Sequence, residues 1–189
     1  MPYLLNAGTF LIQTLFGFFI VVFLLRVILI AINAPFNQPI CRFVYQLTNP
    51  LVTPLRRFVP RWRRIELASL LIAWLLALLE LALLAVLFGA YPGVAGLLLR
   101  ALIDTADWAI LILLVAIFAL CVLSFIPALR HDPNMRLLTQ FTEPVVRPFR
   151  RLLPPLGGMD FSFWIASIAL ILVRMLVIAP LADLALRLP

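Results

Sequence analysis

Glu80 and Arg174 stand deep inside long apolar runs, where an ionisable side chain has few options. A charge at the centre of a bilayer costs about 2.5–3.5 kcal/mol on insertion scales, so each of these residues needs a partner or a use. Ion pairing within the membrane and the handling of an ion or proton are the chemistries open to them. A second set of chemically capable residues is basic: Arg56, Arg57, Arg150 and Arg151 form two adjacent pairs. Guanidinium forks hold phosphate oxygens bidentately, which makes these four the candidates for contact with anionic lipid headgroups. Catalytic constellations are not expected. His131 is the single histidine and Cys41 and Cys121 are far apart, so neither a metal site nor bis-histidine haem ligation is foreseen. The acidic residues are too scattered for a carboxylate dyad, and Gly157-Gly158 is too short to cradle a phosphate and reads as a turn. No enzymatic activity, cofactor or metal is therefore expected.

The elements that position these residues are written twice. Thr48, Pro50, Pro54, Arg56, Arg57 and Pro60 return as Thr142, Pro144, Pro148, Arg150, Arg151 and Pro154, all in one gapless register of 94 residues. The same offset relates Pro39 to Pro133, Gln46 to Gln140, Glu66 to Asp160 and Glu80 to Arg174. Such self-similarity marks a tandem duplication, with residues 1–94 as the first repeat and 95–189 as the second.

With 189 residues, 65% hydrophobic and only 12% charged, the chain reads as an integral membrane protein. Its mean hydropathy of +1.16 agrees. Four stretches are long enough to cross about 30 Å of hydrocarbon: roughly 10–32, 67–88, 108–126 and 161–181. The first lacks a basic leading region and is too long for a signal-peptide core, so it is expected to remain as a span. The net charge of +7 comes entirely from arginine, since lysine is absent. Most arginines lie between spans one and two or between spans three and four, which predicts both basic segments in the cytoplasm and both termini in the periplasm. The two repeats then enter the membrane in the same direction. Nucleic acid is not an expected partner, because the basic residues occupy short segments between apolar spans.

Each basic segment begins with an amphipathic pattern. Ile40, Phe43, Val44 and Leu47 share one helical face, as do Met135, Leu138 and Phe141. Pro39 and Pro133 suit a first turn. The helices are expected to be short, about 39–48 and 133–142, and to lie in the headgroup interface or pack on the ends of the bundle. They are expected to end where Pro50 and Pro144 turn the backbone away from helix, leaving a stiff strap that carries the arginines. Within the spans, Glu66, Ala73 and Glu80 recur every seven residues, and Asp160, Ser167 and Arg174 repeat the stripe. This places Glu80 and Arg174 at one depth, about 21 Å along each helix from the acid that opens the stripe. An ion pair between them across the repeat interface is expected, the alternative being two separate charges facing water or an oligomer partner. Arg26, near the inner end of the first span, is expected to snorkel to the headgroups.

The twice-occurring Thr-x-Pro-x-x-x-Pro-x-Arg-Arg element after an amphipathic helix resembles the YggT family of bacterial inner-membrane proteins. The resemblance covers the whole chain, and is specific in Asn37-Gln38-Pro39, Thr48–Pro60, Thr142–Pro154 and Gly157–Phe161. Trp62–Glu66 departs from it, standing where a glycine-aspartate element falls in the second copy. The resemblance implies an all-α inner-membrane protein without established enzymatic activity, linked to osmotic stress or potassium homeostasis. It also implies an alternative: a scaffold or assembly factor tied to division or to biogenesis of membrane complexes. Anionic lipids, a second copy or other membrane proteins are the partners foreseen.

Overall fold

The computed structural model describes residues 2–34, 38–57, 66–89, 93–124, 126, 132–152 and 162–185. Among them the regular structure is helical. Helix α1 spans Pro2–Ala31, α2 Pro39–Leu55, α3 Leu67–Phe88, α4 Val94–Ser124 and α5 Pro133–Leu152. The chain closes with α6 (Ser162–Val173), a π-helical turn over Arg174–Ile178, and α7 (Ala179–Ala185), which together form one continuous rod. Four helices are long and apolar enough to cross a membrane: Tyr3–Ala31, Leu67–Phe88, Val94–Ser124 and Ser162–Ala185. Each repeat thus supplies span, in-plane helix, span.

Two spans are longer than their hydropathy suggests. Helix α4 begins at Val94 rather than near Trp108 because its polar residues are satisfied within the helix. Arg100 Nε donates to Asp104 Oδ1 at 2.9 Å, and Thr105 Oγ1 donates to the carbonyl of Ala101 at 2.7 Å. In α1, Thr9 Oγ1 bonds the Leu5 carbonyl in the same manner at 2.9 Å. The ends carry recognisable stops. Asn33, at φ 52, takes the left-handed position after α1, where its amide bonds the Ile30 carbonyl and the following Ala34 amide reaches back to Leu29. Gly89, at φ 64, does the same after α3.

The expectation that prolines end the in-plane helices fails. Helix α2 runs on through Pro50 and Pro54, and α5 through Pro144 and Pro148. A proline inside a helix removes one backbone bond and crowds the carbonyl four residues earlier. Here all four prolines lie on exposed sides of their helices, so the freed carbonyls face outward rather than into the protein. Packing on the opposite side, through Val44, Thr48 and Val52 in α2, holds the helix together across the break. The arginine pairs therefore sit at helix ends rather than on an extended strap. Asp132 caps α5, its Oδ1 accepting the Asn134 amide at 2.7 Å.

Helix α1 packs against α3, and α4 packs against α3 on one side and the fourth span on the other. The core between the first three spans gathers Ile20, Phe23, Leu24, Ile72 and Ala116, with the small Ala73 and Ala77 fully enclosed. Those alanines admit α1. Close approach of α3 to the fourth span, which the small-residue stripe suggested, is precluded because α4 stands between them.

Candidate functional site

Two polar centres occupy this apolar frame. The inner one is built around Arg26, a guanidinium with 1% of its surface exposed. Its Nε donates to Glu66 Oε2 at 2.7 Å, and its Nη1 donates to Thr48 Oγ1 at 2.5 Å and to Asn49 Oδ1 at 2.9 Å. The guanidinium also stacks over Tyr45, 5.0 Å from the ring centre. Glu66, equally buried, takes two further donors: Arg56 through Nε at 2.6 Å and Ser69 Oγ at 2.6 Å. Arg56 Nη2 also contacts Glu66 Oε1. Thr48 passes the chain on by donating to the Val44 carbonyl at 2.6 Å. Burial pushes the Glu66 carboxyl up, but the bonds from Arg26, Ser69 and Arg56 outweigh it and hold the group below its ordinary value. The arrangement clamps α1, α2 and the start of α3 to one another. Arg26 therefore does not snorkel; its acid partner comes to it.

At the equivalent positions the second repeat is built differently. Leu120 replaces Arg26, Glu143 replaces Asn49 and Phe163 replaces Ser69. Thr142 is buried but only bonds back within its helix, to Leu138 at 3.0 Å. Arg150 donates to Glu143 Oε2 at 2.9 Å and lies over the Phe163 ring at 5.2 Å. Asp160, the counterpart of Glu66, lies outside the described residues.

The outer centre is a cavity of about 540 Å³ lined by Glu80, Asp104, Asp107 and Arg174, with Gln13 and Thr14 of α1. Arg174 makes a fork-to-fork pair with Asp107, Nε to Oδ1 at 2.6 Å and Nη2 to Oδ2 at 2.8 Å. The pairing expected between Glu80 and Arg174 is thus replaced: both residues line one cavity, but the acid that takes the guanidinium is Asp107 on α4. Asp107 wins because α4 packs directly on the fourth span while α3 sits behind it. Arg174 opens the π-helical turn, whose wider winding re-aims the side chains that follow.

Of the four arginines proposed for lipid contact, Arg56 and Arg150 are engaged by protein carboxylates, whereas Arg57 and Arg151 are exposed. From sequence Arg26 reads only as a snorkelling residue, and Asn49, Asp104 and Asp107 do not stand out as site residues. For Arg26 the available signal was a charge within an apolar run; for the two aspartates it was their spacing from Arg100 on one helical face.

Fold and sites together define a multi-pass α-helical membrane protein built from two tandem repeats, each with an amphipathic helix between its two spans. The family pattern of CCB3/YggT matches residues 5–87 and again 99–181, and the chain belongs to that family. The chain is 40% identical to an uncharacterised protein of Pseudomonas aeruginosa over 185 residues, covering 94% of this chain and 91% of the other. It is 34% identical to the uncharacterised protein YggT of Escherichia coli K12 over 173 residues, covering 90% and 89%. A protein of Vibrio alginolyticus, described as uncharacterised and lying in the proC 3' region, is 33% identical, with 88% and 90% covered. No solved structure matches the chain. The two family segments begin and end in the same register as the internal repeat.

Proposed function

We propose that this protein serves ion or osmotic homeostasis in the bacterial cytoplasmic membrane, without enzymatic activity and with both termini in the periplasm. The observation that carries this reading is the outer cavity. Three carboxylates and one guanidinium are placed inside membrane-spanning helices, around shared space, at a cost that packing alone does not require. Two of the carboxylates are matched by Arg100 and Arg174, and Glu80 adds a further acid to the same wall. Such a wall suits a small cation or a proton better than an anion or an apolar solute.

The test is potassium uptake and recovery from hyperosmotic shock in a deletion strain carrying the parent gene, Glu80→Gln or Asp104→Asn. Both variants are expected to accumulate in the membrane yet fail to restore uptake or recovery. Full restoration by both overturns the reading.

A second reading, a membrane scaffold, draws support from the fourth span. Only 11% of its central window is buried within the chain, against 39% for the first span. A helix so lightly packed is free to meet a second copy or another membrane protein, and capture of such partners by the parent but not by a variant carrying Ile168→Ser and Leu172→Ser tests it.

A further inference from the structure

An apolar cavity of about 390 Å³ lies between the two repeats, close to the in-plane helices. Its walls include repeat equivalents: Val21 and Val115, Leu25 and Ala119, and Ile40 and Asn134, each pair in the 94-residue register. The cavity therefore sits where the two halves of the duplication meet. It is closed unequally. On α5, Leu137 and Phe141 fold inward and are almost fully buried. Of their counterparts on α2, Leu47 is only half-buried and Phe43 remains 58% exposed. One flank is thus sealed by protein and the other is left open at the level of α2.

We propose that this cavity holds one acyl chain of an anionic phospholipid. Length points to a lipid chain. The lining runs from Trp108 to Ala119 on α4 and from Val21 to Leu29 on α1, about 17 Å and about 12 Å. This is about the depth of one leaflet of a hydrocarbon core about 30 Å thick, the depth an acyl chain reaches. A single hydrocarbon chain fits such a slot, and the wholly aliphatic and aromatic lining beyond Asn134 rewards it. Charge selects the headgroup. A chain entering beside α2 leaves its phosphate at the level of α2 and α5, whose polar faces expose Arg42, Arg57, Arg136, Arg147 and Arg151. The one acid within these two helices, Glu143, is already held by Arg150. The site differs from the general contact of exposed arginines with headgroups, because it needs the repeat junction to be empty of side chains.

Trp108 lines the deep end of the cavity and reports occupancy directly. The protein, with Trp62, Trp74 and Trp164 replaced by phenylalanine, is reconstituted with phosphatidylglycerol brominated near the chain end or near the carbonyl. Chain-end bromines are expected to quench Trp108 strongly and saturably, bromines near the carbonyl weakly, and the phosphatidylcholine equivalents less than either. Ala119→Phe, which fills the slot, should abolish the saturable part; Ala119→Leu, a smaller filling change, should reduce it if the larger variant does not fold. Equal quenching in parent and folded filling variant means ordinary surrounding lipid and overturns the proposal. Quenching that disappears as protein concentration rises, with dimer formation, means a second copy occupies the cavity and overturns it too.

Discussion

The two repeats carry one motif to two ends. In the first, threonine, asparagine and arginine of the motif converge on a buried Arg26–Glu66 pair. In the second Leu120 stands in that arginine's place, and the motif's arginine meets a neighbouring glutamate and a phenylalanine ring. What differs among the described residues is one central guanidinium, Arg26, whose counterpart is Leu120. The helical geometry of the motif evidently does not depend on that charge, since α5 runs through its prolines as α2 does. The first repeat has become an electrostatic clamp, while the second keeps the shape with apolar filling from Ile117, Leu120 and Val146.

The test with the largest effect concerns whether the halves are parallel at all. With native cysteines removed, single cysteines at residues 57 and 151 should resist a membrane-impermeant reagent in intact cells, and one at residue 94 should react. The outcome is all or none, and labelling of only one of the two arginine positions would make the repeats antiparallel.

Next in size is the clamp. Arg26→Leu puts the second repeat's residue into the first and takes from the buried Glu66 its most buried cation, and stability in detergent should fall by up to about 3–5 kcal/mol. Arg26→Leu with Glu66→Leu should recover much of that loss, because replacing both members of a buried pair is far cheaper than removing one. A double variant as unstable as the single one would show that the packing of α2, rather than charge, distinguishes the repeats.

The clamp should also show in acid. Glu66 titrates lower in the folded protein than its ordinary value near 4.5, so its contribution is complete above that pH. It is lost as pH falls below 4.5 and through the depressed folded value. Thermal stability measured across this window should drop in the parent, and Glu66→Gln should be less stable at neutral pH but flatter in acid.

The outer centre predicts a smaller effect. Asp107→Asn should loosen the fourth span by about 1.5–3 kcal/mol, the range for a hydrogen bond to a charged group, because the pair with Arg174 is only partly buried. Glu80→Gln should cost less, since no bond joins Glu80 to Arg174 among the described residues. The reverse order in an unfolding titration would restore the pairing foreseen from the repeat register.

Smallest of all is the effect of Arg57→Lys with Arg151→Lys. Each exposed arginine near an anionic surface is worth about 1 kcal/mol, and lysine keeps the charge while losing the fork. A modest fall in co-purifying anionic lipid is expected, equal for the two repeats.

Much of this was legible in the chain because it is local. Four spans, the duplicated motif and the two in-plane helices follow from hydropathy and a fixed offset. The misreadings share a cause: they concern what lies beside what. Arg26 and Glu66 are 40 residues apart with no common spacing, and only the packing of α1 on α3 brings them together. Asp104 and Asp107 lie where hydropathy falls, ahead of the span expected over 108–126, yet α4 runs through them, with Asp104 bonded to Arg100 four residues earlier. The repeat offset placed Glu80 and Arg174 at one depth but carried no information on which helix stands between. Prolines were weighed by intrinsic preference, which exposed faces and tertiary packing on the opposite side override.

The buried Arg26 has a consequence in the order of synthesis. Its partner is made 40 residues later, so at about 5–20 residues per second the first span waits some seconds with an unmatched charge. During that interval the guanidinium's best option is the nearest headgroup layer, reached by its flexible stem. Glu66, with Thr48 and Asn49 made ahead of it, then supplies the buried partners that tie the first span to its successors. In the second half Leu120 stands at that place, so no charge there waits to be matched.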